Sequence, residues 1–387
     1  MLEIKQKPHL HASWIDPNAK EIVRTLQKEG FTSYLVGGCV RDLLAGLHPK
    51  DYDIATSAEP NQVKRKVWGS YVIGRRFRLV LVKRGTIQYE VATFRREAKA
   101  EEMQELEEQR QEEESAAPVS GENFFGTPEQ DALRRDFTVN AMFYDPIKDE
   151  LIDYAHGLED IQAQTIRMIG DPNLRIQEDP VRSLRAIRLS HKLSFRIEDT
   201  FREAIQANAK ELLRAVLPRR REEYLKFLRL KDPIPAFMEL YDLGLMEIIL
   251  PSLMPVFNDP EKLEVFLTYI SRLKQICYDF SKPDELYLGL ILAYTRAMSG
   301  DPQFETLLNK LMRDELMMFK AEQAAVLAAI DFAPALENLD SYRRKGHRRQ
   351  QAFLRHESFA FGLRVARMDY LVSAETLLFW QQQSGIY

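Results

Sequence analysis

Asp51 and Asp53 stand two residues apart in a stretch where Tyr52 to Ala55 reads as a strand. Alternation along a strand sends both carboxylates to one face of a sheet, and such a pair can hold Mg²⁺ through hard oxygen donors. Two Mg²⁺ ions roughly 3.5 to 4 Å apart can activate an attacking hydroxyl and stabilise the leaving oxygen of an in-line displacement at phosphorus. Two acids near a strand edge are more often merely solvated, so the context decides. Upstream lies Leu35-Val36-Gly37-Gly38-Cys39-Val40-Arg41-Asp42, read as strand, tight turn and short helix. Its glycines let backbone approach a ligand, the helix N-terminus faces that ligand, and Arg41 can reach a phosphate oxygen.

Three further groups carry chemistry. Glu90, in the strand-like run Ile87 to Phe94, is a candidate third carboxylate near the metals, with a solvent-facing strand residue as the equal alternative. Arg134-Arg135-Asp136 precedes another apolar run. Asp179-Pro180 makes a good helix start, and Arg182, Arg185 and Arg188 recur every three residues along that helix. Arginines sharing one side repel unless an anion sits there, which favours a triphosphate site over bare surface.

The elements that position these residues follow from periodicity. Asp16-Pro17, the apolar face of Ile22, Val23 and Leu26, and Gly30 predict a helix from Pro17 to Glu29. Strands are predicted at Tyr34–Val36, Tyr71–Ile73, Arg78–Lys83 and Thr138–Tyr144, and short β or turn elements continue to Ile169. The first part is therefore α/β. Beyond Asp179 the period becomes helical almost to the end, which predicts a helical array. Glu97 to Asn123 holds ten acids against two bases and few apolar side chains, so a mobile insertion or frayed helix is expected there.

Composition narrows the classes. The chain has 387 residues, a formal net charge of −4 and 45% hydrophobic residues, as expected for a folded protein of two or three domains. The acidic stretch alone carries −8, so the remainder is +4, with arginines clustered as a polyanion-handling protein requires. Cys39 and Cys277 exclude a disulfide scaffold or a zinc site of several thiolates, and they fit a reducing cytosol. No apolar run of membrane-spanning length is present, so a cytoplasmic protein is expected.

Gly37-Gly38-x-x-Arg41-Asp42 followed by Asp51-x-Asp53 resembles the catalytic signature of the class II nucleotidyltransferases, the family of CCA-adding enzymes and bacterial poly(A) polymerases. Arg134 to Ala141 resembles the family's second motif, and Glu178 to Arg188 resembles the helix linking its head to its neck. The resemblance covers roughly Phe31 to Phe227 well and the remaining helices in outline. It implies an α/β nucleotidyltransferase head with a small mixed sheet, followed by an all-α neck, body and tail. The implied divisions are an N-terminal helix in 1–30, a head in 31–170, a base-binding neck in 171–230, and an RNA-binding body and tail in 231–387.

The same resemblance implies Asp51, Asp53 and Asp136 as catalytic, with two Mg²⁺ on Asp51 and Asp53. It places nucleotide contacts at Gly37, Gly38, Arg41, Arg135, Asn140, Asp179, Arg182, Arg185 and Arg188, and base reading at Arg219. Where poly(A) polymerases usually offer Arg-Leu-Phe-Glu-Glu, this chain has Arg219-Arg220-Arg221-Glu222-Glu223, and Arg220 is the alternative reader. Ile73 to Leu79, Tyr89 to Arg95 and Asn123 to Gly126 resemble the polyadenylating branch. The expected reaction is template-independent addition of adenosines from ATP to RNA 3′ ends. CCA or A addition to tRNA is the alternative within the family, and a catalytically silent RNA-binding protein is the alternative from another class.

Overall fold

The Asp16 carboxylate accepts the N–H groups of Asn18 and Ala19 at 2.8 and 2.9 Å, and Pro17 sits in the first turn, so helix α1 (Pro17–Lys28) starts where the sequence predicts. A computed structural model describes residues 4–6, 8, 10, 12–74, 79–97, 124–273 and 279–385. The predicted acidic insertion, beyond Glu97, and the Arg75 to Arg78 segment lie outside the described residues.

Eight strands form one mixed sheet: β1 (Ile4–Gln6), β2 (Ser33–Val36), β3 (Asp53–Thr56), β4 (Ser70–Ile73), β5 (Leu79–Arg84), β6 (Ile87–Thr93), β7 (Phe143–Asp145) and β8 (Glu150–Asp153). Their order is β1-β8-β7-β2-β3-β6-β5-β4, with β3 and β6 parallel and every other pair antiparallel. Residues directly opposite one another across a ladder share a face. One row therefore crosses the sheet through Ile152, Phe143, Val36, Asp53, Glu90, Leu81 and Tyr71. Its first three members are buried, together with Ala55, Phe94, Ala132, Ala141 and Ala155, in a core built on that face. Asp53 is partly buried, while Glu90 and Tyr71 are exposed. The opposite face of β5 and β6 carries the buried Val80, Val82, Tyr89 and Val91. Helix α3 (Pro60–Lys66) packs against β4, β5 and β6, and α1 against β2 and β3.

The chain divides into two compact units, Met1–Arg175 with Leu193–Arg202, and Ile176–Lys192 with Glu203–Tyr387. In the second, helix Pro283–Ala297 is buried almost all round and packs against helices Pro260–Ser271 and Lys320–Phe332. Near its C-terminal end the fully buried Trp380 donates its indole N–H to the Leu336 carbonyl at 2.9 Å, among Tyr342, Phe353, Phe359 and Phe379. No described helix is long and apolar enough to cross a membrane.

Two expectations are corrected. The predicted strand from Thr138 to Tyr144 is a 3₁₀ turn at Thr138–Asn140 followed by β7. The cause is tertiary: the Thr138 hydroxyl bonds the buried Asp160 at 2.6 Å, and Asn140 Nδ2 bonds Asp136 at 3.2 Å, which overrides the β propensity of Thr138 and Val139. Helical structure also begins earlier than Asp179, with Gly157–Gln162 and Pro172–Glu178.

The turn is wedged against Gly157, where a Cβ would lie 2.3 Å from the Thr138 carbonyl oxygen and 2.9 Å from Met142 Cγ. Gly157→Ala is therefore expected to destabilise the fold by about 1 to 3 kcal/mol through overpacking, read as a lowered Tm. A Tm equal to the parent's would show that the turn yields freely.

Candidate functional site

Asp53 is the first residue of β3, so the strand starts one residue later than predicted and Asp51 stands in the loop before it. The alternation survives: Tyr52 is buried, with its hydroxyl donated to the Trp14 carbonyl, between an exposed Asp51 and a partly buried Asp53. Glu90 lies directly opposite Asp53 on the parallel neighbour. Burial and then the Glu90 charge push the Asp53 carboxyl up to about 6, with Asp51 adding to the rise and Arg135 opposing it.

Gly37 links the paired acids to the arginines. Its φ of +74° lies in the left-handed region, and a Cβ there would face Arg135 Nη1 at 3.4 Å and Asp53 Oδ2 at 4.0 Å. The strain of that φ in any residue with a Cβ, more than crowding, calls for glycine. Gly38 begins the short helix α2 (Gly38–Leu44) and lies beside the Arg41 guanidinium.

Arg41 is almost fully buried. Its Nε and Nη2 donate to Asp42 Oδ1 at 2.8 and 2.6 Å, and its Nη1 donates to Asn140 Oδ1 at 2.7 Å. Asn140 Nδ2 donates to Asp136 Oδ1, which also accepts the Phe137 N–H at 2.9 Å. The Asn140 carbonyl accepts Arg135 Nη1 at 3.4 Å, so this one residue positions both arginines. Asp136 thus anchors the turn that carries Asn140.

Sequence reasoning missed Asp131. It is 2% exposed, and its Oδ2 accepts Arg135 Nε and Nη2 at 3.2 and 2.8 Å while its Oδ1 accepts Arg134 Nε at 3.0 Å. Burial alone would raise its pKa, but the Arg135 and Arg134 charges together hold it below the ordinary carboxylate range. The available signal was the spacing of an acid in the last turn of helix Pro128–Leu133 three and four residues before the two arginines that follow it.

In the second unit the arginines are met by protein carboxylates. Arg182 bonds Glu178 at 2.9 Å, Arg188 bonds the buried Glu223 at 2.7 Å, and the Arg185 and Arg219 charges help lower the Glu222 pKa after Lys226, its largest influence. Carboxylates within the fold offset part of the repulsion that their spacing creates. Asp179 Oδ2 accepts Arg219 Nη2 at 2.7 Å. Arg221 is held by Glu322 with its guanidinium 4.5 Å from the Phe319 ring centroid, which makes it a packing residue.

Among the described residues no group of three or more His, Cys, Asp or Glu is arranged to hold a metal. Mg²⁺ commonly takes one or two carboxylates and completes its shell with water and substrate phosphates. Asp51 and Asp53 fit that pattern, because both offer oxygen donors and the Asp53 anion is disfavoured until a cation arrives.

Comparison with known proteins gives this geometry its context. The family described as Poly A polymerase head domain matches residues 33–167, and that described as Probable RNA and SrmB-binding site of polymerase A matches residues 194–257. The chain is 41% identical to Poly(A) polymerase I of Haemophilus influenzae over 246 residues, 63% of this chain and 53% of that protein. The chain thus carries the head and RNA-binding segments of poly(A) polymerases. It is also 36% identical to a CCA-adding enzyme of Lactobacillus helveticus over 208 residues, 54% of this chain and 49% of that one. The chain spans about half the length of the curated relatives it matches. Its fold resembles the Bacillus stearothermophilus CCA-adding enzyme in complex with CTP, with a TM-score of 0.65 at 24% identity over 96% of this chain and 83% of that one. The first 175 residues correspond to the expected α/β head, and the later chain is mostly helical.

The raised Asp53 pKa has a measurable sign. Its carboxyl holds a proton more tightly when folded, at about 6, than when unfolded, at roughly 3.9, so that contribution to stability is complete below about pH 4 and is lost as pH rises through 6. Without divalent metal, Asp53→Asn is expected to raise Tm above the parent's at pH 7.5 and to lose that advantage below about pH 4. An equal difference at both pH values would remove Asp53 from the electrostatic role described.

Proposed function

We propose that this chain adds adenosines from ATP to RNA 3′ ends without a template. The observation that carries this reading is the match to relatives named Poly(A) polymerase I, at 38 to 41% identity over 246 residues, beside the match of residues 33–167, which hold Asp53, Gly37 and Arg135, to the family described as Poly A polymerase head domain. CCA-adding enzymes match at 35 to 36% over shorter segments, 208 to 229 residues, and support the second reading.

Asp51 and Asp53 are the residues that would hold two Mg²⁺, which supply a more acidic attacking hydroxyl and stabilisation of the leaving pyrophosphate. Arg135, aimed past Gly37 toward Asp53, is placed to neutralise triphosphate charge, and its rigid seating on Asp131 and Asn140 lowers the reorganisation needed in the transition state. Arg41 turns toward phosphate by sharing donors that now serve Asp42 and Asn140.

Base reading falls to Asp179 and Arg219. Asp179 Oδ1 is shielded from solvent and has no hydrogen-bond partner among the described residues, while Oδ2 holds Arg219. An acceptor beside a guanidinium donor complements the amino group and ring nitrogen of adenine or cytosine, and it mismatches guanine and uracil. The pair therefore rejects GTP and UTP, and the choice between ATP and CTP rests on the shape of the surrounding site.

With ATP alone and a generic single-stranded RNA, long adenosine tails are expected. Efficient CTP incorporation into a tRNA lacking its end, with little tailing of the generic RNA, would establish the CCA-adding reading instead. Asp51→Ala and Asp53→Ala are expected to abolish addition with circular dichroism unchanged. Mg²⁺ should raise the parent's Tm at pH 7.5, and Asp53→Asn should lose most of that rise. Arg219→Ala is expected to relax discrimination against UTP by about 1 to 3 kcal/mol, the cost of an unmet polar partner.

A further inference from the structure

We propose that the open half of the head's sheet is a track for the single-stranded acceptor RNA, on which the Tyr71 ring, flanked by Lys83, stacks a base a few nucleotides upstream of the reacting 3′ end. The proposal rests on the reading of the acceptor as RNA and adds a binding position to it.

The register places Tyr71 on the catalytic face. Asp53 stands opposite Glu90, Glu90 opposite Leu81, and Leu81 opposite Tyr71, so the four share one side of the sheet. Lys83 and Ile73 each lie two residues farther along their strands from Leu81 and Tyr71, and therefore project from the same side. On the Asp53 side of this row the face is roofed by the Phe143 and Val36 core, and toward the edge strand the side chains reach solvent. Tyr71 is 56% exposed and Ile73 41%.

Lys83 Nζ lies 5.7 Å from the Tyr71 ring centroid. A ring presented to solvent beside a cation is the combination that captures single-stranded nucleic acid, because every base has a π face and every nucleotide brings a phosphate. At the same edge, on the other side of β5, Trp68 is 83% exposed with the Arg84 guanidinium 5.6 Å from its ring centroid. An apolar protein partner would bury these cations, whereas a polyanion neutralises them, so charge complementarity favours RNA.

Distance sets which base is held. Three strand spacings of about 4.8 Å put Tyr71 roughly 14 Å from Asp53, about four nucleotides at a stacked rise of ~3.4 Å and fewer in a stretched chain.

The test compares the parent with Tyr71→Ala, Tyr71→Phe and Lys83→Gln on oligoadenylates of two and ten nucleotides, in nucleotide addition and in binding by fluorescence anisotropy. Tyr71→Ala is expected to raise KM and Kd for the ten-nucleotide RNA roughly ten-fold with kcat retained, as the loss of one stacked base implies. The effect on the dinucleotide should be much smaller, and Tyr71→Phe should keep parent affinity. Lys83→Gln should reduce the salt slope of binding by about one. Equal losses on both RNA lengths, or parent-like binding of the ten-nucleotide RNA by Tyr71→Ala, would overturn the proposal. If the parent adds no nucleotide to any RNA, the polymerase reading fails, and the anisotropy comparison still decides the track.

Discussion

Everything in the head depends on one residue row crossing from a dry region to a wet one. Val36 and Phe143 bury under the cap of Ala132, Ala141 and Ala155, the next position is Asp53, and beyond it Glu90 and Tyr71 meet solvent. A carboxylate at that border is desolvated enough for its charge to be costly, yet open enough to be reached. The Glu90 charge makes the anion costlier still, and Arg135 is the local cation that offsets part of the cost. A cation placed there would relieve that cost, while α1 and α3 on the opposite face hold the strands in register.

The arginines show how the fold keeps strong charges aimed. Asp131 grips Arg135 through two of its donors, Asn140 accepts from Arg135 and Arg41 through different oxygens, and Asp136 secures Asn140. Each guanidinium is therefore oriented by the fold itself, the condition under which a charge can act without reorganisation. The second unit uses the same device, with Glu178, Asp179 and Glu223 seated against Arg182, Arg219 and Arg188. Removing one buried carboxylate would leave a guanidinium uncompensated, so these acids matter as much as the arginines they serve.

What the sequence alone determined was local. Asp16-Pro17 set the start of α1, the alternation around Tyr52 set the facing of Asp51 and Asp53, and Gly37-Gly38 marked the turn, because caps, strand period and glycine φ depend on residues adjacent in the chain. The motifs around Asp51 to Asp53, Arg134 to Ala141 and Glu178 to Arg188 also made the family legible. Tertiary structure decided what depends on partners distant in sequence. Thr138 to Asn140 became a turn because Asp160 and Asp136 were there to bond it, and Arg188 found its carboxylate because Glu223 arrived from another helix. Asp131 became an anchor only through burial, and Tyr71 came onto the catalytic face only through three ladders of strand register. Propensity and spacing act over a few residues, whereas burial, charge pairing and register are properties of the assembled sheet and helices.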